Sequence, residues 1–229
     1  MTSIAANLQA VRARVAVACI AAGRAVESVQ LLAVSKTWPA AGVREAVAAG
    51  QRAFGESYVQ EAADKTAQLA GMGLEWHFIG PLQSNKTRLV AENFAWVHSV
   101  DRLKIAERLA LQRPPDLPSL QVCIQVNVSG EASKSGCAPA QAATLAHAVA
   151  ALPRLRLRGL MAIPEPSNDS VTQRKRFALV RELRDRLNAE GLGLDTLSMG
   201  MSHDLEAAIM EGATLVRIGT AIFGERTYT

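Results

Sequence analysis

Eight short apolar runs, each followed by a polar or helical segment, constrain the fold of this 229-residue chain more than any other feature. The runs are continuously hydrophobic or nearly so, which is typical of strands covered on both faces. They occupy residues 31–35, 52–55, 76–79, 96–99, 120–128, 157–163, 196–199 and 215–218. Apolar residues at helical spacing fill the segments between them, at 40–49, 59–70, 86–92, 102–112, 139–152, 171–190 and 203–211.

This alternation predicts an α/β protein, a single parallel (β/α)8 barrel of the TIM type that spans residues 1–229 as one domain. A chain of this length can form such a barrel undivided. An open doubly wound sheet is the alternative, but no glycine-rich dinucleotide loop follows the first run. Because only five residues follow Gly224, we expect an additional N-terminal helix to take the place of a full eighth helix.

The N-terminal segment allows two interpretations. Arg12 and Arg14 precede a short apolar run at 15–22, which resembles a signal peptide. An i, i+3/i+4 apolar stripe instead indicates a retained helix, and it consists of Leu8, Val11, Val15 and Ala18. We favour the helix, because cleavage would leave almost no chain before the first strand. No stretch approaches the ~18 consecutive apolar residues of a spanning helix, so we expect no membrane segment.

Charge and cysteine content restrict the function classes. Lys and Arg number 25 against 21 for Asp and Glu, and the one dense basic cluster lies at 174–186. We interpret this cluster as the solvated face of an amphipathic helix rather than a nucleic-acid surface. The apolar residues interleaved with it are Phe177, Leu179, Val180, Leu183 and Leu187.

The three cysteines, Cys19, Cys123 and Cys137, are scattered, which indicates reduced thiols in a cytoplasmic protein. The histidines show no metal-ligand grouping, so no metal site is expected. His77, within a strand, is interpreted as a hydrogen-bonded core histidine.

Lys36 comes directly after the first strand, where barrel loops build active sites. Strand alternation places Leu32, Val34 and Lys36 on one face, so the lysine points either into the barrel mouth or outside it. An ammonium among apolar neighbours has a lowered pKa and can hold a cofactor aldehyde as a Schiff base. A surface lysine that begins a loop is the alternative.

Arg217 lies inside the eighth strand, where a charge is costly unless it is paired or bound to a ligand. Strands one and eight adjoin in a closed barrel, so Arg217 and Lys36 would be neighbours, and Gly219 leaves room beside the arginine. A structural ion pair and a guanidinium that faces a heteroaromatic nitrogen are both open. Ser202, as a helix N-cap after strand seven, and Gly219-Thr220 after strand eight indicate a phosphate site.

Several long motifs together resemble one family. They are AVSK at 33–36, FGESYVQE at 54–61, HFIGPLQSNK at 77–86, VNVSGEASKSG at 126–136, SMGMS at 198–202 and VRIGT at 216–220. These segments look like the pyridoxal 5′-phosphate (PLP) homeostasis proteins, which are related to the N-terminal barrel of alanine racemases. The resemblance covers nearly the whole chain.

The resemblance implies a barrel that holds PLP as a Schiff base on Lys36 and buffers or delivers this form of vitamin B6, with effects on amino-acid metabolism. Ser202, Gly219 and Thr220 would hold the phosphate, and Arg217 would face the pyridine nitrogen. The remaining implied contacts are Met199 near the ring and Ser57, which stands where the family usually has Asn.

The expected partners are PLP and recipient PLP-dependent apoenzymes, with no nucleic acid and no membrane, and we expect a monomer. A PLP-dependent amino-acid racemase is the alternative. We expect no efficient racemase activity, because an arginine does not give the pyridine nitrogen its proton. The tyrosine that alanine racemases take from a C-terminal domain is also not expected in a chain that stops at Thr229.

Overall fold

The computed structural model describes residues 3–129 and 135–225, and in these residues it confirms the predicted (β/α)8 barrel. Eight parallel strands close in chain order, with Leu32 of the first strand opposite Arg217 of the last. The strands are β1 (Gln30–Val34), β2 (Ala53–Glu56), β3 (Glu75–Phe78), β4 (Trp96–Val100), β5 (Leu120–Gln125), β6 (Leu155–Met161), β7 (Thr196–Ser198) and β8 (Leu215–Ile218).

Helices surround these strands. They are α1 (Ile4–Ala21), α2 (Ala40–Ala48), α3 (Val59–Gln68), α4 (Thr87–Asn93), α5 (Leu103–Gln112), α6 (Pro139–Ala150), α7 (Ser170–Ala189), α8 (Leu205–Met210) and α9 (Thr220–Phe223). The predicted fifth strand was too long, because β5 ends at Gln125 and Val126 forms only an isolated bridge with Cys137. The sixth strand begins two residues earlier than predicted, at Leu155.

The N-terminal helix α1 packs against α2, α8 and α9, the place expected for it. All four residues of its predicted apolar stripe are buried. Arg14 of this helix forms an ion pair with Glu206 (2.8 Å), and Arg12 donates to the carbonyl oxygen of Ala49 (3.0 Å). Contrary to expectation, α1 is by length and composition apolar enough to cross a membrane. Its contacts with α2, α8 and α9 nevertheless make it part of the helical layer outside the barrel.

The basic cluster at 174–186 lies on α7, whose buried face presents Phe177, Val180, Leu183 and Leu187 to the barrel. Leu179 is exposed, so its assignment to this apolar face was wrong. Several arginines of the cluster contact carboxylates. These contacts are Arg174 with Glu211 (2.7 Å), Arg176 with Glu165 (3.1 Å) and Arg181 with Glu211.

The barrel interior has an apolar and a polar part. An apolar cluster of Leu32, Ala53 and Leu215 fills the side formed by β1, β2 and β8, with Ile79 packed against it. Elsewhere in the interior, β3, β4 and β7 carry buried polar side chains, namely His77, His98 and Ser198. Arg217 of β8 lies next to this polar part, at the carboxyl end of its strand.

Candidate cofactor-binding site

A cleft of about 200 Å³ opens at the carboxyl ends of the strands. Its walls bring together six residues predicted from the sequence, Lys36, Ser57, Ser202, Arg217, Gly219 and Thr220. The other wall residues are Val34, Ile79, Ile163, Met201 and His203. Depressions of about 410–600 Å³ elsewhere are larger. None of those formed by the described residues combines a buried cation with a lysine and two hydroxyls, so we assign the chemistry to the smaller cleft.

The loop that carries Lys36 is fixed on both sides of the lysine. Ser35 donates from its hydroxyl to Glu56 Oε1 (2.6 Å), and the backbone N–H of Thr37 donates to Glu61 Oε1 (2.6 Å). Thr37 has a φ of 68°, in the left-handed region that non-glycine residues rarely occupy. These bonds offset the strain at Thr37 and hold half-buried Lys36 at the mouth of the barrel.

Buried Lys65 contacts both carboxylates that bond this loop, those of Glu56 and Glu61. Lys65 Nζ lies 2.6 Å from Glu56 Oε1, 2.9 Å from Glu61 Oε1 and 2.8 Å from the carbonyl oxygen of Ser35. Burial raises the pKa of Glu56, while Lys65 and the Ser35 hydroxyl act in the opposite direction. Glu56 Oε2 has no hydrogen-bond partner among the described residues, so the carboxylate depends on the contacts of its other oxygen.

Arg217 is buried at the base of the cleft. Its Nη1 donates to the carbonyl oxygen (2.5 Å) and to the hydroxyl oxygen (2.7 Å) of Ser198, and its Nη2 donates to the carbonyl oxygen of Ala162 (2.8 Å). Burial lowers the pKa of Arg217 to about 10, with Asp204 acting to raise it, so the group stays cationic at neutral pH. Among the described residues no carboxylate forms an ion pair with Arg217, which disfavours the ion-pair alternative.

Ser202 and Thr220 present hydroxyls to the cleft, and within the described part of the chain neither hydroxyl has a hydrogen-bond partner. The interpretation of Ser202 as an N-cap was wrong. Helix α8 begins at Leu205, Asp204 is its cap residue, and the Asp204 carboxylate accepts from the backbone N–H of Met201 (2.6 Å). This bond turns the chain before the helix and leaves the Ser202 hydroxyl for the cleft.

Gly219 lies where β8 approaches β1 at the mouth of the barrel. A Cβ atom at this position would lie 3.2 Å from the carbonyl oxygen of Val34, closer than most side chains tolerate. Ser57 is half-buried on the neighbouring wall, where it follows β2. Glycine at 219 therefore allows the end of β8 to approach Val34 of β1 closely at the mouth of the barrel.

Met199 does not lie on the cleft wall. It is fully buried in the core outside the barrel, because Ser198 points to the interior and strand alternation directs Met199 the other way. Met201, two residues later, lines the cleft instead. The expected position of Met199 at the ring therefore requires correction.

Four wall residues were not predicted as site residues from the sequence, namely Ile79, Ile163, Met201 and His203. Ile79 could have been found by alternation, since it follows the interior residue His77 by two positions. The burial of Lys65 could not have been found in this way, because Lys65 lies in an amphipathic helix among other polar residues and its burial depends on the fold.

Comparison with known proteins places this architecture in a family. The alanine racemase N-terminal domain profile matches residues 3–227. The "Pyridoxal phosphate homeostasis protein" of Pseudomonas aeruginosa is 66% identical over 100% of this chain and 98% of its own length. The protein of the same name from Escherichia coli (strain K12) is 56% identical over 100% of this chain and 99% of its own length.

Solved structures indicate the same family. PipY of Synechococcus elongatus, solved with PLP bound, has a TM-score of 0.86 and 40% identity, over 97% of this chain and 100% of that chain. Alanine racemase from Corynebacterium glutamicum shares the fold, with a TM-score of 0.71, 18% identity, and coverage of 96% of this chain and 62% of that chain. This chain therefore belongs to the pyridoxal phosphate homeostasis protein family, whose members have the alanine racemase N-terminal domain.

Proposed function

We propose that this chain binds PLP in the cleft at the carboxyl ends of the strands and serves PLP homeostasis, by buffering the cofactor or delivering it to apoenzymes. The observation that carries the proposal is the convergence of Lys36, a buried cationic Arg217 and two hydroxyls in one cleft. The names of the relatives and the PLP bound in PipY support the same ligand.

The residues of the cleft fit the chemical groups of PLP one by one. Lys36 is the amine that would capture the aldehyde as a Schiff base when PLP is bound. Ser202, Thr220 and the backbone at Gly219 would hold the phosphate, because the two hydroxyls face the cleft without a described protein partner. Among the described residues three of the five N–H groups of Arg217 donate to protein oxygens, which leaves two for the ring nitrogen.

The same geometry favours a carrier over a racemase. A guanidinium does not transfer its proton to the ring nitrogen, so PLP bound here would be a weak electron sink. Racemisation also needs a second base on the opposite face of the substrate carbon. The described cleft wall contains no tyrosine, and Tyr58 is 53% exposed outside it. We further propose that the protein acts in the cytoplasm as a monomer, with PLP-dependent apoenzymes as recipients.

We expect the purified protein to bind one PLP per chain and to lack efficient turnover of amino acids. The measurement is a PLP titration by visible absorbance, followed by solvent deuterium exchange at Cα and chiral analysis of several amino acids with the loaded protein. Exchange near a typical enzyme rate of ~10 s⁻¹, removed by Lys36→Ala, would favour the racemase. Failure to bind PLP at all would refute the whole proposal.

A further inference from the structure

A network of hydrogen bonds between side chains crosses the barrel interior below the cleft. The proposed function does not use it. Ser198 Oγ lies 2.7 Å from Arg217 Nη1 and 2.7 Å from His98 Nδ1. His98 Nε2 lies 2.9 Å from His77 Nδ1, and His77 Nε2 lies 2.8 Å from Glu75 Oε1. Five side chains on β3, β4, β7 and β8 thus connect the cleft with the amino-terminal end of the barrel.

The two end residues of this network, Arg217 and Glu75, fix the direction of every hydrogen bond in it. Arg217 can only donate, and an ionised Glu75 can only accept. Burial lowers the pKa of both His77 and His98, so each ring is neutral and carries one proton. The bond from His77 lowers the pKa of Glu75, which keeps that carboxylate ionised.

One arrangement of protons satisfies these conditions throughout. His77 donates from Nε2 to Glu75, so its Nδ1 accepts from His98 Nε2. His98 Nδ1 then accepts from the Ser198 hydroxyl. Because the serine proton is committed to His98, the lone pairs of Ser198 Oγ face Arg217 Nη1. From Glu75 to Ser198, each group therefore fixes the proton position of the next group in the direction of the cleft.

Aromatic packing holds the two imidazole rings of the network in place. His77 stacks on Trp96 with ring centroids 5.3 Å apart and planes at 9°, and Trp96 is also tilted against His98 at 5.7 Å. Both histidines have no exposed surface. Water therefore does not compete for the bonds that join the two rings to each other and to Ser198, which are buried, whereas Glu75 is partly exposed. In such buried surroundings a hydrogen bond is electrostatically stronger than in water.

We propose that Ser198 and His98 are positioning residues, which fix the Arg217 guanidinium in the orientation that presents its remaining N–H groups to the PLP ring nitrogen. Glu75 and His77 serve this role from the opposite end by setting the tautomer of His98. The inference rests on the proposed function, because it needs Arg217 to face the ring nitrogen.

The test compares two ligands, PLP and the analogue with a C–H group in place of the ring nitrogen. The wild-type protein should prefer PLP, and Arg217→Met should lose this preference. Ser198→Ala should lower the preference by about tenfold, the effect of one hydrogen bond to a charged group. Ser119→Ala, an exposed serine at the other end of the barrel, is the matched control and should keep the wild-type preference.

The outcomes separate the two claims. If Arg217→Met loses the preference while Ser198→Ala keeps it, or weakens both ligands equally, the positioning inference is wrong and the proposed function stands. If Arg217→Met keeps the preference, the placement of Arg217 at the ring nitrogen fails and the inference fails with it. Nitrogen-15 NMR of the wild-type protein adds a test that needs no variant, since both His77 and His98 must carry their proton on Nε2. A proton on Nδ1 of either ring would overturn the inference.

Discussion

The double variant Ser202→Ala with Thr220→Ala is expected to weaken PLP binding by about two to four orders of magnitude. The two hydroxyls line the cleft and have no described protein partner, so they are available to a phosphate. A hydrogen bond to a charged group contributes about 1.5–3 kcal/mol, and two such bonds are lost together. Equilibrium titrations of the variant with PLP and with unphosphorylated pyridoxal measure the effect.

The comparison of the two ligands makes this prediction specific. Pyridoxal has no phosphate, so its binding should change little in the double variant. Ser119→Ala with Thr144→Ala removes the same atoms from exposed positions outside the cleft, and this control should bind both ligands as the wild type does. Equal weakening of PLP and pyridoxal would show that Ser202 and Thr220 do not hold the phosphate.

Replacement of the buried lysine, Lys65→Met, is expected to lower the free energy of unfolding by about 3–5 kcal/mol at neutral pH. The variant leaves the Glu56 carboxylate buried without its cation, and Glu56 Oε2 already has no described partner. Because the lysine also bonds Ser35 and Glu61, the loop that carries Lys36 should lose its support. Urea denaturation at pH 7 measures the loss.

Two controls and the pH dependence test this explanation. Exposed Lys104→Met should change stability by no more than about 0.5 kcal/mol. The double variant Lys65→Met with Glu56→Gln removes both charges and should recover much of the lost stability. If it is no more stable than Lys65→Met, the uncompensated carboxylate is not the cause.

The sign of the pH dependence follows from Glu56. Without Lys65 the pKa of Glu56 should rise further above its ordinary value of 4.5, because the cation that lowers it is gone. The native state of the variant then binds more protons than the unfolded state above about pH 4.5, so its stability should fall as the pH rises from there to 7. The deficit relative to the wild type should accordingly be smaller at pH 5 than at pH 7.

The strand order and the identity of most cleft residues could be predicted from local patterns. Strand alternation correctly placed Lys36 on the same face as Val34, and Arg217 on the same face as Gly219. It could do so because side-chain direction along a strand has a fixed period of two. The packed face of α1 could be predicted from its apolar stripe, all of which is buried.

Other features depend on contacts between distant segments and escaped prediction. Ser202 has the residue type of an N-cap, but the Asp204 carboxylate bonds the Met201 N–H and moves the start of α8 to Leu205. The bond between His98 and Ser198 joins residues 100 positions apart, so no local pattern could reveal it. Met199 is a different case, because local alternation from Ser198 directs its side chain outward, whereas the resemblance implies a position near the ring.

The most direct test of the central claim is borohydride reduction of the PLP-loaded wild-type protein, followed by peptide mapping. Reduction converts a lysine Schiff base into a stable secondary amine, so the label marks the residue that holds the aldehyde. The label should be on Lys36 at one equivalent of PLP, and Lys36→Ala should lose the visible absorbance band while its far-ultraviolet circular dichroism is retained. A wild-type label found only on Lys86 or Lys134, or a full band in Lys36→Ala, would contradict the assignment.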